Sequence, residues 1–470
     1  MSSGHDSRRF TTYGWATCIW ILVVSFQYGY HISVLNQIQA VLTCRVPDNS
    51  QAPKPYLPVC IPMTDATFSV LTSVYTIGGL IGSVFANVIM DSAGRKGAVE
   101  ASSIAYVFGA AAMSVAGSLW LLVIGRVLVG IAAGIALCVG PIFLSEIAPS
   151  KIRGAVGVLT QFAIVIGIMT TQAIGLQLAT PRTWRWVLTA SAVLSAVQGG
   201  FSFWINESPV YLARHKKIKE ASAAARKLWG ATAPVVASQD DDEENVSDPL
   251  LGDAASDVEE RRGRDSRDDA ITVPQLLSAS NLRKPLLIVS FSMLCQQLSG
   301  VNAVLYYSND ILSKSLPDLG PYVSLGITVV NVMMTFPPIF LIERIGRKKL
   351  LSLSGFGALL SLWCVGFGLD TGYVTLASVT IITFIASFAI GIGPIPFVMI
   401  PEVSPPHAVS ALSSVGLSLN WIANFLVGLV FLPLRNLLSH GDPMKEGRVF
   451  YVFASMLAFC SIVLLSIYRE

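Results

Sequence analysis

Amide side chains and one histidine stand inside stretches of the chain that are otherwise apolar. Gln296, Gln297 and Asn302 share one such stretch, and His31 follows Gln27 and its neighbours in another. An amide presents a hydrogen-bond donor and an acceptor on one planar group, which complements the hydroxyl groups of a neutral solute. A buried amide left unpaired costs about 1–3 kcal/mol, so each needs either a polar ligand or a partner on another helix.

His31 is the only histidine, lysine, arginine or carboxylate in the apolar stretch 14–36. An ionisable group inside a membrane is a functional-site hypothesis by default, and histidine can titrate in the physiological pH range. Proton coupling through His31 is therefore one hypothesis. A neutral histidine that is hydrogen-bonded between helices is the other.

The composition indicates that these residues belong to a membrane protein. Of 470 residues, 53% are hydrophobic and 13% are charged, whereas soluble proteins carry about 25% charged residues. The net charge of +3 and the lack of a basic stripe argue against nucleic-acid binding. The sequence has no Walker-type loop, metal-ligand spacing or nucleophile motif, so we predict neither an enzyme nor a bound cofactor or metal.

A helix that crosses a bilayer needs about 20 mostly apolar residues, and the sequence contains twelve such stretches. A charged segment, 206–284, holds 15 acidic and 12 basic residues. It separates the first six apolar stretches from the last six. The first stretch is too long to be a signal peptide. The predicted spans are 14–36, 66–89, 97–117, 119–142, 153–177, 184–205, 286–308, 320–342, 350–369, 374–399, 408–433 and 448–468.

The loop charges orient these spans in the membrane. With a cytoplasmic N-terminus, 17 Lys and Arg residues fall on the cytoplasmic side and 8 on the other, which satisfies the positive-inside rule. The predicted organisation is a cytoplasmic tail at 1–13, a six-helix bundle at 14–205, a cytoplasmic loop at 206–283, a second bundle at 284–468 and a cytoplasmic end at 469–470.

The polar loops carry three further patterns. The amphipathic stretch 208–229 predicts a short helix at the membrane surface, and the acidic run 239–270 is predicted to be disordered. Within that run, 247–251 is either a dileucine-type sorting signal or a plain linker. Cys44 and Cys60 share one non-cytoplasmic loop and either form a disulfide or remain thiols.

The two halves repeat a charged pattern. A Gly-Arg-Lys turn follows the second span at 94–96 and the eighth at 346–348, and a Gly-Pro pair with a later glutamate recurs near the ends of the fourth and tenth spans. Such repeats are typical of transporters that bind a solute between the halves, near the bilayer midplane. Glu146 and Arg153 are predicted to pair across a cytoplasmic turn. Ordinary positive-inside determinants are the alternative interpretation of these charges.

Five motifs resemble the sugar-porter, glucose-transporter-like branch of the major facilitator superfamily. They are 125–130 (GRVLVG), 146–154 (EIAPSKIRG), 207–209 (ESP), 296–302 (QQLSGVN) and 391–396 (GIGPIP). The resemblance covers the chain except 238–275, and its most specific motif is 296–302. It implies an all-α membrane protein of twelve transmembrane helices in two six-helix repeats, which moves a monosaccharide, a hexose in first place, by alternating access.

The resemblance also implies roles for individual residues. The sugar contacts it implies are Gln161, Gln296, Gln297, Asn302, Asn331, Phe397 and Asn424. It also places Tyr306 and Tyr307 in the extracellular gate, although a tyrosine pair near a helix end is equally an ordinary interfacial anchor. The distribution of charge independently predicts further gate residues: Arg126, Glu146, Arg153, Glu343, Arg347 and Glu402.

The chain departs from the family pattern in the tenth span and after it. Phe397 stands where many glucose carriers have tryptophan, and Ala389 stands where they have a carboxylate, so the site is less polar there. Val409 replaces the arginine that usually follows Glu402, which predicts a weaker cytoplasmic lock in the second half. These departures resemble fungal vacuolar members, so the membrane is either vacuolar (or another endomembrane) or the plasma membrane.

Four functions stay open at this point. Facilitative uniport of a monosaccharide is slightly preferred over proton symport through His31, because proton-coupled relatives carry an aspartate at that position. A non-transporting sugar sensor and a carrier of polyols or inositol are the other two. The predicted partners are a sugar, a proton in the symport case and the lipid bilayer, and the sequence does not predict an oligomeric state.

Overall fold

The structure is a computed structural model that describes residues 10–47, 56–230, 271–302, 320–440, 442 and 445–468. The acidic run 239–270 with its motif at 247–251, and the predicted gate residues Tyr306 and Tyr307, lie outside these ranges.

The first half of the chain forms six long helices. Hydroxyl side chains start two of them: Thr11 Oγ1 accepts from the Gly14 amide and Thr64 Oγ1 from the Thr67 amide, which satisfies donors that a helix start leaves unpaired. The helices are α1 Thr12–Leu42, α2 Asp65–Ser92, α3 Gly94–Ser114, α4 Leu119–Ile147, α5 Arg153–Leu178 and α6 Trp184–Phe201.

The described part of the loop between the halves contributes three short helices, α7 Pro209–Arg214, α8 Ile218–Trp229 and α9 Val273–Ser278. The amphipathic stretch 208–229 therefore forms two helices and not one. Lys216 adopts a positive φ of 59° and separates α7 from α8. The apolar face of α8 packs on the protein instead of lying on the membrane surface, since Ala221, Ala224 and Leu228 are buried.

The second half repeats the pattern of the first. Its helices are α10 Arg283–Leu298, α11 Gly320–Ile345, α12 Arg347–Asp370, α13 Val374–Ile390, α14 Ile395–Val403, α15 Val409–Ser439 and α16 Arg448–Ile467. The tenth predicted span, 374–399, is not one helix, because the chain breaks between α13 and α14 at residues 391–394.

Within the described residues, ten of the twelve predicted spans are long and apolar enough to cross a membrane, the interrupted tenth span among them. The other two are α3, which opens with Arg95 and Lys96, and α10, whose described part has 16 residues. The all-α membrane architecture predicted from the sequence is confirmed, and the count of twelve is consistent with it.

The two halves meet along two pairs of helices, α2 against α15 and α5 against α11. The internal repeat relates one pair to the other, because α2 of the first half corresponds to α11 of the second half, and α5 corresponds to α15. Gly79 allows the first pair to approach closely, since the indole of Trp421 occupies the space that a side chain at Gly79 would need. The Trp421 ring also meets the rings of Tyr28 and Tyr75 edge to face, with centroids 5.7 Å apart in both cases.

Charge and sulfur mark opposite ends of the bundle. We call the end where α2 and α11 finish the charged end, because it carries Arg95, Glu146, Arg347 and Glu402. At the other end, the disulfide end, Cys44 and Cys60 are bonded with their Cα atoms 5.2 Å apart. The disulfide, which the sequence left open, ties the loop after α1 to the segment before α2.

Candidate functional site

Five amide side chains on α10, on the helical turn that follows it and on α15 form one hydrogen-bonded chain, which we call the amide ladder: Gln296, Gln297, Asn302, Asn420 and Asn424. Asn420 Nδ2 donates to Gln296 Oε1 at 2.8 Å, and Gln297 Nε2 donates to Asn420 Oδ1 at 3.1 Å. Asn302 Nδ2 donates to Gln297 Oε1 at 3.2 Å and to Asn424 Oδ1 at 2.6 Å. The ladder is therefore a polar surface built without any charged group.

A break in the tenth span anchors the ladder. Gln296 Nε2 donates to the carbonyl oxygen of Gly393 at 2.7 Å, and Gly393 lies in the interruption between α13 and α14. Irregular backbone is tolerated at membrane depth only where it is buried in protein or lines a cavity. Gln296 thus satisfies a carbonyl group that the broken helix leaves available.

Asn420 was not among the residues predicted from the sequence. It is 2% exposed and contacts both glutamines, so the ladder depends on it more than on Asn424. A signal was present, because Asn420 and Asn424 are four residues apart and such residues share one face of a helix. Trp421, the next residue, was also missed: it is 1% exposed, and its indole N–H has no hydrogen-bond partner in the described residues.

Three other predicted contact residues lie on different helices. Gln161 on α5 is 7% exposed, Asn331 on α11 is 8% exposed, and Phe397 on α14 is 3% exposed. Asn331 Oδ1 has no partner in the part of the chain that the structure describes. The helices α5 and α11 pack against each other between the halves. Gln161 and Asn331 therefore lie on this inter-half helix pair, whereas the amide ladder lies on α10, on the turn that follows it and on α15.

His31 lies in a polar cluster inside the first half. Its Nε2 is 2.6 Å from Ser191 Oγ, and Ser191 donates its hydroxyl hydrogen to Gln27 Oε1 at 2.6 Å. A hydroxyl has one hydrogen, so Ser191 accepts from His31, which places the imidazole proton on Nε2. His31 Nδ1 is buried without a partner in the described residues, and the arrangement therefore fits a neutral imidazole.

Arg126 lies beside His31 and not with the other predicted gate residues. Its Nη1 donates to the His31 carbonyl oxygen at 2.9 Å, and its guanidinium group lies 4.5 Å from the centre of the Tyr75 ring. On the other side, the Tyr106 ring stacks on His31 with centroids 5.5 Å apart. Arg126 lies in the first third of α4, away from the charged end that carries Glu146, so its role as a gate residue stays a prediction.

At the charged end of the first half, Glu146 pairs with Arg95 instead of the predicted Arg153. Arg95 Nε lies 3.1 Å from Glu146 Oε1, and Arg153 is exposed and forms no ion pair within the described ranges. The turn before Arg95 requires Gly94, whose φ is 82°.

Glu207, between α6 and α7, caps the start of α3. It accepts from the backbone N–H groups of Arg95 and Lys96 at 3.1 Å. Burial raises the pKa of Glu207, and hydrogen bonds from the Ser208 and Lys96 amides act against that rise.

The charged end of the second half repeats this geometry. Gly346, with φ 88°, precedes Arg347, whose guanidinium group lies 2.7 Å from Glu402 and 3.1 Å from Glu343. Arg347 corresponds to Arg95 of the first half, so Glu402 has a cationic partner although Val409 stands where an arginine usually follows. The weaker lock in the second half stays a prediction.

In the described residues, hydrogen bonds join the two halves near the charged end: the Gly154 amide donates to Glu343 Oε1 at 2.8 Å, and Ser413 donates to the Cys138 carbonyl oxygen at 3.2 Å. Arg214 Nη2, on α7 of the connecting loop, donates to the Pro406 carbonyl oxygen of the second half at 2.6 Å. The halves are therefore in contact at the charged end, and the structure is closed there.

A family model described as "Sugar (and other) transporter" matches residues 17–470. The chain belongs to this sugar-transporter family. It is accordingly a multi-pass membrane protein of a transport family and not an enzyme.

Curated relatives come from fungi and mammals. The chain is 34% identical to a probable metabolite transport protein of Saccharomyces cerevisiae, with 92% of this chain and 88% of that protein covered. It is 29% identical to the vacuolar protein sorting-associated protein 73 of the same yeast, covering 95% and 92%. It is 31% identical to the facilitated glucose transporter member 3 of Ovis aries, covering 87% and 81%.

Among solved structures, the chain is similar to the major facilitator superfamily proton:xylose symporter XylE bound to 6-bromo-6-deoxy-D-glucose. The TM-score is 0.78 at 19% identity, with 97% of this chain and 95% of that chain covered. The likeness confirms the major facilitator fold predicted from the sequence.

We expect Arg347→Gln to open the charged end more often, because it removes the cation that holds Glu343, the acceptor of the inter-half bond from Gly154. A partly exposed ion pair contributes about 1 kcal/mol, which is about fivefold in the ratio of open to closed molecules. Labelling of Cys138 by a water-soluble maleimide measures the opening, since this thiol is buried beside the inter-half bond of Ser413.

Lys445→Gln is the matched control, because its pair with Asp442 at 2.9 Å lies at the disulfide end. It should leave Cys138 labelling unchanged, and Cys138→Ser gives the background from the other thiols. Equal labelling rates in wild type and Arg347→Gln would show that this ion pair does not hold the charged end closed.

Proposed function

We propose that this protein carries a monosaccharide, a hexose in first place, across its membrane by alternating access and without coupling to protons. The observation that carries the proposal is the amide ladder, an uncharged row of hydrogen-bond donors and acceptors that is buried next to the interface between the two halves. The facilitated glucose transporter among its relatives supports a hexose as the substrate.

The chemistry of the ladder fits a neutral polyol. Each amide that now pairs with a neighbour can exchange that bond for one to a sugar hydroxyl, which both donates and accepts. Asn331 Oδ1, which lacks a partner among the described residues, would gain one. Phe397 adds an apolar surface suited to a sugar ring, while Ala389 offers no carboxylate that would favour a cation.

The closed charged end supports alternating access. The ion pairs of Arg95 and Arg347 each join residues within one half, and the Gly154–Glu343 bond joins the two halves. The inter-half bond can break while the ion pairs keep each half rigid, which is the rocking motion typical of repeat-built transporters.

Uniport is favoured by the surroundings of His31. Its neutral form already has a partner for the Nε2 proton, and a second proton on Nδ1 would find no acceptor among the described residues. The described groups that face the ring are Tyr30 on α1, Tyr106 on α3, Arg126 on α4 and Ser191 on α6. Among these groups, an imidazolium would stand beside a guanidinium group and would meet no carboxylate.

Proton symport is the second candidate. His31 is an ionisable residue buried within a span, and the solved structure to which the chain is similar is that of a proton:xylose symporter. Symport requires His31 to gain and lose a proton during the cycle.

We also propose an endomembrane location, the vacuole in first place. The yeast relative named as a vacuolar protein sorting-associated protein supports it, and plasma-membrane location is the alternative. Fluorescence microscopy of the tagged chain beside a vacuolar marker separates the two.

Replacing ladder residues should weaken sugar binding. We expect Gln297→Leu and Asn420→Leu each to raise the KM for labelled D-glucose uptake into proteoliposomes about tenfold, because each removes hydrogen bonds worth about 1 kcal/mol apiece. Competition by fructose, galactose, xylose and inositol then ranks the substrates.

Gln198→Leu is the control, because Gln198 is an equally buried amide that pairs with the Trp20 carbonyl oxygen inside the first half. It should alter stability without altering KM. Purified protein that binds D-glucose but never transports it would contradict the carrier and favour a sensor, and stronger competition by inositol than by hexoses would contradict the hexose assignment.

The response to a pH gradient separates uniport from symport. We expect wild-type proteoliposomes to equilibrate D-glucose and not accumulate it when a pH gradient is imposed, and His31→Asn, which stays neutral, to behave alike. Accumulation by wild type that is lost in His31→Asn would overturn uniport and establish symport.

A further inference from the structure

A groove of about 420 Å³ opens toward lipid on the seam between the two halves. One wall is α2, where Phe85 and Val88 are 59% and 62% exposed, and the other is α15, where Ile422 is 41% exposed. Residues 272–274 at the start of α9 close the groove toward the charged end, and none of its lining residues is charged.

Two polar atoms in the walls of this groove lack partners. Asn87 on α2 is 5% exposed and its Oδ1 makes no hydrogen bond to the described residues, and the same is true of Ser414 Oγ on α15, which is 1% exposed. In the part of the chain that the structure describes, the group that faces Ser414 is the thiol of Cys138, which is a weak hydrogen-bonding group. Leaving such atoms unpaired inside a membrane is costly, so the pair points to a ligand.

We propose that the groove binds a membrane sterol whose single hydroxyl donates to Asn87 Oδ1 and accepts from Ser414. A hydroxyl is the smallest group that can do both. The uncharged walls offer no cation to a phosphate or carboxylate headgroup, and the exposed apolar side chains suit a rigid hydrocarbon body.

A sterol in this groove would bridge the two halves. Asn87 belongs to the first half and Ser414 to the second, and the hydroxyls of Ser83 and Ser418 already meet across the same seam at 3.1 Å. If α2 and α15 separate when the charged end opens, the sterol binds the closed state better and shifts the population toward it. This regulatory consequence rests on the proposed alternating access, whereas binding itself does not.

Photolabelling tests the binding. The purified full chain in phosphatidylcholine liposomes is irradiated with a tritiated sterol that carries a diazirine on its ring system and a free hydroxyl. We expect label on peptides that contain residues 84–88 or 414–422, displaced by excess unlabelled sterol but not by the sterol acetate, which cannot donate.

Substitutions test which residues bind the sterol hydroxyl. Asn87→Leu and Ser414→Ala should each lower the labelling affinity about fivefold, the effect of one neutral hydrogen bond. Ser25→Ala removes an equally buried hydroxyl that has no partner in the described residues and lies outside the groove, so it should change nothing.

Other results would overturn the proposal. Label confined to other helices, displacement by the acetate as effective as by the sterol, or better displacement by diacylglycerol would each do so. Sugar uptake in the same liposomes should slow with sterol in wild type and not in Ser414→Ala. Specific labelling without any effect on uptake would overturn the regulation alone, and labelling of a protein that transports no sugar would instead refute the proposed function.

Discussion

A membrane interior supplies no water to a polar group, so every amide and carbonyl group between the halves needs a partner in the protein or in what the protein binds. The arrangement of α10, α13, α14 and α15 follows from this constraint. Gln296 satisfies a carbonyl of the broken tenth span, and Asn420 pairs with both glutamines. The result is a polar surface that is complete without ligand, yet can exchange its hydrogen bonds for those of a sugar.

The short helix α14 joins this surface to the charged end. The carbonyl of Gly393 just before α14 accepts from Gln296, and Glu402 near its last residue pairs with Arg347. In the proposed transport cycle, a sugar that displaced the ladder would act on this ion pair through a helix of only nine residues. The first half has the equivalent pair, Arg95 with Glu146, but its fourth helix is continuous.

The repeat, the spans and most of the ladder could be predicted from the sequence, because apolar length, turn glycines and amides in apolar runs are local signals. The pairing of the charged residues at the charged end could not be predicted from the sequence. Glu146 and Arg153 are close in sequence, but Arg95 reaches Glu146 from a turn 51 residues away. The role of Asn420 could not be predicted because it comes from contact with α10, and no local sequence pattern reports that contact. The disulfide could not be predicted because it depends on the Cα separation of Cys44 and Cys60, which only the fold defines.

The most direct test of alternating access is a distance measurement at both ends of the bundle by paired spin labels, with the free cysteines replaced by serine. Exposed positions Arg153 and Lys349 report on the charged end, and Thr180 and Tyr373 on the disulfide end. Alternating access predicts that D-glucose shifts the two distance distributions in opposite directions, one end closing as the other opens. Distributions that ignore the sugar, or that lengthen at both ends together, would contradict it.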